Sequence, residues 1–290
     1  MSVFDSTAAL LRAAEKENIE LWELIMTRAA AESGMDRAGS LAMMAQRLEA
    51  MREADASYEP AQRSRSGLSG GDGELMRRYA ETGESLCGGF VAEVLSRALR
   101  MGECNACMRR IVAAPTAGAC GVLPAVLLAY EKCFGAEDAS LIRALYVASG
   151  FGAVIAARAS ISGAEAGCQA EIGTAAAMSA AALTYLRGGS PEQMANALAF
   201  ALKNMMGLVC DPVAGLVEVP CVKRNAGGAM NALGAAEMAL AGIRSRIPPD
   251  EVIDAMAAVG AALPASLRET GLGGVAASPT AKAFRRSFFG

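Results

Sequence analysis

The sequence predicts an all-α fold in a single large domain of packed, Ala/Gly-rich helices, and three observations carry that reading. Apolar residues recur at helical spacing along most of the chain. No stretch alternates polar and apolar residues as a half-buried strand would, and no strand–helix rhythm or fixed-period repeat is visible. Of 290 residues 53% are hydrophobic but only 5% aromatic, and the apolar mass is mainly Ala, Met, Leu and Val. Small side chains let helices approach closely.

The elements follow in order. Between residues 7 and 33, Leu10, Leu11, Ala14, Ile19, Leu21, Trp22 and Ile25 keep a helical period, which predicts one amphipathic stretch. A second covers 38–54. Residues 57–73 collect Ser, Gly, Arg and Pro and predict a loop. Helices are expected over 74–101, 122–133 and 139–158. At Ser190-Pro191-Glu192-Gln193, Ser190 suits the N-cap, Pro191 the first helical position, and Gln193 completes a capping box. That helix is expected to run to about Met206, with further helices over 226–243 and 249–262. The expected organisation is one unit over 1–290: N-terminal helices over 1–56, the Ser/Gly/Arg loop over 57–73, and a cysteine-bearing helical core over 74–290.

Composition excludes some partners. A net charge of −3 offers no basic footprint for nucleic acid. The start has no basic, apolar leader pattern, and the most apolar windows, 111–130 and 176–186, are interrupted by Pro115 and Pro124 or are short, so no membrane span is expected. Eight cysteines in a chain able to bury its own core read as reduced thiols in the cytoplasm rather than a disulfide framework.

The chain has no histidine. That removes the commonest general base and the commonest metal ligand, and leaves thiolates, carboxylates, amines, hydroxyls or a cofactor to do any chemistry. Cys168, Cys210 and Cys221 each lie in a Gly- or Pro-punctuated stretch, spaced C-x41-C-x10-C. Three thiolates on irregular backbone suit an iron–sulfur cluster. The Cys104–Cys107 pair lacks the second pair or histidine that a zinc site needs. Cys120 lies in a glycine loop and is a candidate to face a site, whereas Cys87 and Cys133 read as packing residues on helices. Three loops, 67–73, 114–121 and 160–163, set hydroxyls beside glycines near helix ends; both anion sites and ordinary helix caps fit that pattern.

Four motifs carry a family resemblance. They are Ser69-Gly70-Gly71, the 114–121 loop with Val122-Leu123-Pro124, the 162–173 stretch from Ser162-Gly163-Ala164 through Cys168-Gln169-Ala170-Glu171, and Cys210-Asp211-Pro212 through Val219-Pro220-Cys221. The chain resembles the catalytic alpha chain of the iron–sulfur-dependent L-serine dehydratases (L-serine ammonia-lyases), from about residue 10 to 285. The resemblance implies a [4Fe–4S] cluster on Cys168, Cys210 and Cys221, whose open iron acts as a Lewis acid on the hydroxyl of L-serine, without pyridoxal phosphate. Pyruvate and ammonia are the implied products. A related L-cysteine desulfidase, or a non-catalytic cluster-bearing sensor or scaffold, are the competing expectations. Relatives of this kind also carry a regulatory ACT-like beta part, so a separate beta chain, a homo-oligomer, or both are expected. Some carry a terminal cysteine that caps the fourth iron, whereas here the chain ends Arg285-Arg286-Ser287-Phe288-Phe289-Gly290.

Closeness to the three cysteines, and the hydroxyl-bearing glycine loops, nominate the other site residues. Lys223, Glu171 and Asp211 are the candidate proton-transfer groups, with Glu165 as a further carboxylate. Ser69, Gly70, Thr116, Gly118, Ser162, Arg224 and Asn225 are the candidate substrate contacts. For the 223–225 segment a solvated helix start remains equally open. Lys203 reads as structural, and the Met43-Met44 and Met205-Met206 pairs as core.

Overall fold

A computed structural model describes residues 3–290 and contains thirteen α-helices, with no strand among the described residues. The all-α expectation holds. At the N-terminus, α1 (Thr7–Glu17) and α2 (Leu21–Glu32) divide the stretch that the sequence runs together. Asn18 takes φ +52, and its N–H closes α1 onto the Ala14 and Glu15 carbonyls. The apolar stripe continues through Ile19 and Leu21, which hides the break from a periodicity reading.

α3 (Arg37–Ala56) precedes the Ser/Gly/Arg loop. The helix expected over 74–101 is two, α4 (Asp72–Glu81) and α5 (Gly88–Ala106), parted where Gly83 adopts φ +77. α6 (Val122–Phe134) and α7 (Asp138–Arg158) follow. Pro124 does not interrupt α6, because it sits in the first turn, where its missing N–H has no intrahelical partner. Ala117–Phe134 and Asp138–Arg158 are long and apolar enough to cross a bilayer; 67% and 61% of their windows are buried inside the fold.

A short α8 (Gly163–Ala166) leads into a π-helical turn, Gln169–Gly173, and then α9 (Thr174–Leu186). Every residue of α9 from Thr174 to Thr184 is buried, against α7, α10 (Pro191–Met205), α11 (Cys221–Leu240) and α6. Alanine suits this axis: it is the best helix former and brings no side-chain entropy to lose. Its neighbours close in through glycines; a Cβ on Gly152 would stand 2.9 Å from Met178 Sδ. The buried hydroxyls of Ser179 and Thr184 donate to the carbonyls of Ala175 and Ala180, at 2.7 and 2.8 Å. A helix buried all round has no amphipathic period, so the sequence pattern passed over α9.

The capping box of α10 forms as read: the Gln193 N–H donates to Ser190 Oγ at 3.3 Å, and the Ser190 N–H to Gln193 Oε1 at 2.9 Å. α11 begins at Cys221, five residues before the expected start, while α12 (Pro249–Ala262) matches its expected bounds. α13 (Pro279–Phe289), unanticipated, starts at an Ser278 cap and packs on the 213–215 and 274–277 turns.

Candidate functional site

Three separate segments bring Cys168, Cys210 and Cys221 to one pocket. Gly167 precedes the first with φ +77, and a Cβ there would lie 2.6 Å from Leu263 Cδ1 and 2.8 Å from the Leu208 carbonyl oxygen. Only glycine allows that turn. Fully buried Gln169 then locks it. Its Nε2 donates to the Ala166 and Met256 carbonyls, and its Oε1 accepts the Gly207 N–H at 2.8 Å. Its own N–H reaches the Leu208 carbonyl at 2.9 Å, so the chain before Cys210 lies against the start of the π-helical turn.

Cys210 is held from the other side. Its N–H donates to the Leu267 carbonyl at 2.9 Å, and its carbonyl accepts the Glu269 N–H at 2.7 Å. Cys221 is the first residue of α11, next to the cis Val219–Pro220 bond. A thiol at a helix N-terminus sits in the positive end of the helix dipole, which favours its thiolate. The shared pocket has a volume of about 170 Å³. Gly118, Glu171 and Glu269 complete its polar lining, and Ala117, Pro212 and Val217 its apolar lining.

Glu171 projects from the π-helical turn, a distortion frequent at functional sites. The Thr116 hydroxyl donates to Glu171 Oε1 at 2.7 Å. Gly163 and Gly118 clear space for this carboxyl: a Cβ on Gly163 would stand 2.4 Å from Glu171 Oε2 and 3.1 Å from Cys210 Sγ, and one on Gly118 3.2 Å from Oε1.

Three of the nominated residues prove to be braces. Asn225, buried, accepts the Gly121 N–H and donates to the Gly118 and Cys221 carbonyls, so its carboxamide is fully engaged with backbone. Arg224 donates to the Val209 carbonyl at 2.7 Å and pairs with Asp211 Oδ1 at 2.8 Å. Asp211 Oδ2 in turn accepts the Val275 N–H at 2.7 Å. Asp211 therefore ties its loop to α11 and to the 274–277 turn rather than facing the pocket.

The pocket resists negative charge. Burial pushes the Cys168 thiol up to about 11, against the opposing Arg224 guanidinium, and the Cys221 thiol up to about 12. Cys210 rises further, from burial first and then from Cys168, Glu171 and Glu269. Glu171 is raised by burial and by Glu269, opposed by the Thr116 hydrogen bond.

Other candidates lie elsewhere. Lys223 is half exposed and ion-paired with Asp72, because α11 turns Cys221 and Asn225 inward together and Lys223 outward. Ser69 is buried in the 57–71 loop, where the Ser64 and Ser66 hydroxyls bind Glu218; the Ser69 hydroxyl has no partner among the described residues. Gly70 lines a different cavity with Tyr58, Glu103, Cys104 and Cys107. Ser162 precedes Gly163, with its N–H on Ser160 Oγ, and is not part of the pocket lining. Glu165 binds the Ser160 hydroxyl at the surface. Cys120 is buried 3.6 Å from the Met101 carbonyl, away from the pocket. Cys87 and Cys133 are exposed rather than packed, at the start of α5 and the last turn of α6. Glu269 is the residue that sequence reasoning missed; its only signal was the Gly-rich 271–274 run just after it.

The family sequence model described as "Serine dehydratase alpha chain" matches residues 16–276, which include all three pocket cysteines, Glu171 and Glu269. The chain belongs to the serine dehydratase alpha chain family. It is 54% identical over 227 residues to the "Probable L-serine dehydratase, alpha chain" of Bacillus subtilis, covering 78% of this chain and 76% of that one. It is 47% identical to the "L-serine dehydratase, alpha chain" of Peptoniphilus asaccharolyticus, over 72% of each. With the "L-serine dehydratase" of Mycobacterium tuberculosis it shares 47% identity over 62% of this chain but 40% of that protein. The family match ends before α13.

Proposed function

We propose that this protein is an L-serine dehydratase that releases pyruvate and ammonia from L-serine, with Cys168, Cys210 and Cys221 as the thiolate ligands of a [4Fe–4S] cluster. The observation that carries the reading is the convergence of those three buried thiols and Glu171 on one small pocket in a member of this family. The donor set fits the group. It consists of three cysteine thiols on one pocket, the ligand type that iron–sulfur clusters take. A cluster spreads its ligands, one thiolate to an iron. Its iron would stabilise the thiolate form that burial disfavours at all three positions. With three protein ligands, such a cluster supplies one iron with an open position, a Lewis acid for the substrate hydroxyl.

The chain's own residues do the rest. Glu171 is the base for the α-proton: Thr116 holds Oε1, which leaves Oε2 on the side of Gly163 and Cys210. Burial moves its pKa upward, toward the range useful to a base near neutral pH. Asn225 holds the 114–121 loop against α11, so Thr116 and Gly118 keep their places. Arg224 stands by Cys168 and favours its thiolate. The same pocket, about 170 Å³, would hold the cluster, with Gly118, Glu171 and Glu269 on its wall.

We also infer a separate beta chain. Two relatives covered over most of their length are named alpha chain, and the longer relative is matched over only 40% of its length. One preparation tests the reading: anaerobic reconstitution with iron and sulfide, with and without a candidate beta chain. The expected result is a thiolate-to-iron absorption band and pyruvate from L-serine in excess of sulfide from L-cysteine. Failure to take up iron and sulfide overturns the cluster, and sulfide as the main product turns the reading to a desulfidase.

A further inference from the structure

We propose that Glu269 receives the ammonium group of the substrate and thereby sets the preference of the pocket for an amino acid over the corresponding acid without one. The inference rests on the dehydratase reading and adds a specificity residue to it.

Glu269 adopts φ +62, a conformation that side-chain-bearing residues rarely take. Glycine meets that demand at neighbouring positions, with Gly271 at φ +65 and Gly274 at φ +58, yet a glutamate occupies 269. The scaffold holds it there. Its N–H is fixed on the Cys210 carbonyl at 2.7 Å, and the preceding Arg268 is anchored by its guanidinium to the Leu263 and Ala261 carbonyls, both at 2.7 Å. The same backbone bridge that supports Cys210 therefore carries the Glu269 carboxylate to the pocket.

That carboxylate has no hydrogen bond or ion pair among the described residues, whereas its neighbours are engaged. Glu171 has Thr116, and Asp211 has Arg224 and the Val275 N–H. No lysine or arginine lines the pocket, and the nearby Arg224 is occupied by Val209 and Asp211. Glu269, exposed to solvent, thus places a carboxylate at the edge of the pocket without a protein counter-charge. Of the groups on a small amino acid, only the ammonium complements it, through a charge-assisted hydrogen bond.

The test uses the reconstituted enzyme with its beta chain, and two inhibitors of L-serine turnover. L-alanine carries ammonium and carboxylate; propionate carries the carboxylate alone. Glu269→Gln should raise KM for L-serine and the inhibition constant of L-alanine by about tenfold or more, the scale of a lost hydrogen bond to a charged group. KM should change more than kcat, and the inhibition constant of propionate should stay put. Glu269→Gly keeps the backbone bond to Cys210 and relieves the strained φ, so its melting temperature should rise while it loses L-alanine affinity as the Gln variant does. A structural role alone predicts the reverse pairing, with affinity lost only where stability is lost. Wild-type turnover with an unchanged alanine-to-propionate ratio in both variants overturns the role of Glu269 alone. A wild-type enzyme that makes no pyruvate overturns the dehydratase reading, and this inference with it.

Discussion

Asn225 accepts the Gly121 N–H at 2.8 Å, and that bond joins the 114–121 loop to the helix that begins at Cys221. Two segments of the pocket, the Thr116 side and the Cys221 side, are registered through this one buried carboxamide, which also binds the Gly118 and Cys221 carbonyls.

Asn225→Ala should therefore do more than trim a side chain. It leaves a buried N–H and two carbonyls without their partner, at a cost of about 2–3 kcal/mol. Urea unfolding should show the loss, and kcat should fall as Thr116 and Glu171 drift apart. Asn225→Asp, which accepts but cannot donate, should recover only part of the stability.

Glu171→Gln removes the proposed base while keeping its shape and its bond from Thr116. The expected outcome is a fall in kcat of about 10²- to 10⁴-fold with the iron content unchanged. Iron analysis beside steady-state kinetics checks this; retained turnover would move the base elsewhere.

Replacing Cys168, Cys210 or Cys221 by serine should abolish both the chromophore and turnover in reconstituted samples. Cys87→Ser and Cys133→Ser, at exposed thiols, should leave both intact. A chelator applied to the loaded wild type should bleach the chromophore and lower the melting temperature together, since a bound group stabilises the fold that holds it.

Lys223→Ala tests the reading that its neighbours face the pocket and it does not. Its ion pair with Asp72 is partly exposed, so stability should change by about 0–1 kcal/mol. Serine turnover should persist, because nothing in the pocket is lost.

Arg97 stands between two largely buried carboxylates, Asp55 and Glu93, bonding to both. Arg97→Ala removes one partner from each, leaving Asp55 with Arg100 and Glu93 with Lys132, and should cost about 1–3 kcal/mol at neutral pH. The pH dependence has a definite sign. Burial already raises the Asp55 pKa despite Arg97 and Arg100, and loss of Arg97 raises it further. Stability is favoured below that raised value, where Asp55 is protonated, and is lost as pH rises through it. The penalty of the variant should therefore shrink on acidification, as urea midpoints across a pH series will show.

Legibility followed the range of the interaction. The Ser190 capping box and the bounds of α12 were written in a few adjacent residues, and both formed as read. The breaks at Asn18 and Gly83 were not legible, because a single positive φ interrupts a helix while the apolar pattern runs on. At the pocket, Thr116 and Gly118, nominated from their glycine loop, and Glu171, nominated by closeness to Cys168, do meet. Lys223 and Asp211 were nominated by closeness in sequence, which on a helix or a tight loop says little about direction.

By itself the sequence determined an all-helical chain without an imidazole, and the three cysteines in their Gly/Pro settings, because helix periods, caps and turn residues act over a handful of positions. Only the tertiary structure decided which groups share a pocket. The phase of α11 turned Cys221 and Asn225 inward and Lys223 out, the Arg224 pair drew Asp211 away, and the bridge between Cys210 and Arg268 brought Glu269 in from nearly sixty residues along the chain. Those are closures between distant segments, settled by burial and by buried hydrogen bonds that must find partners, and no local pattern encodes them.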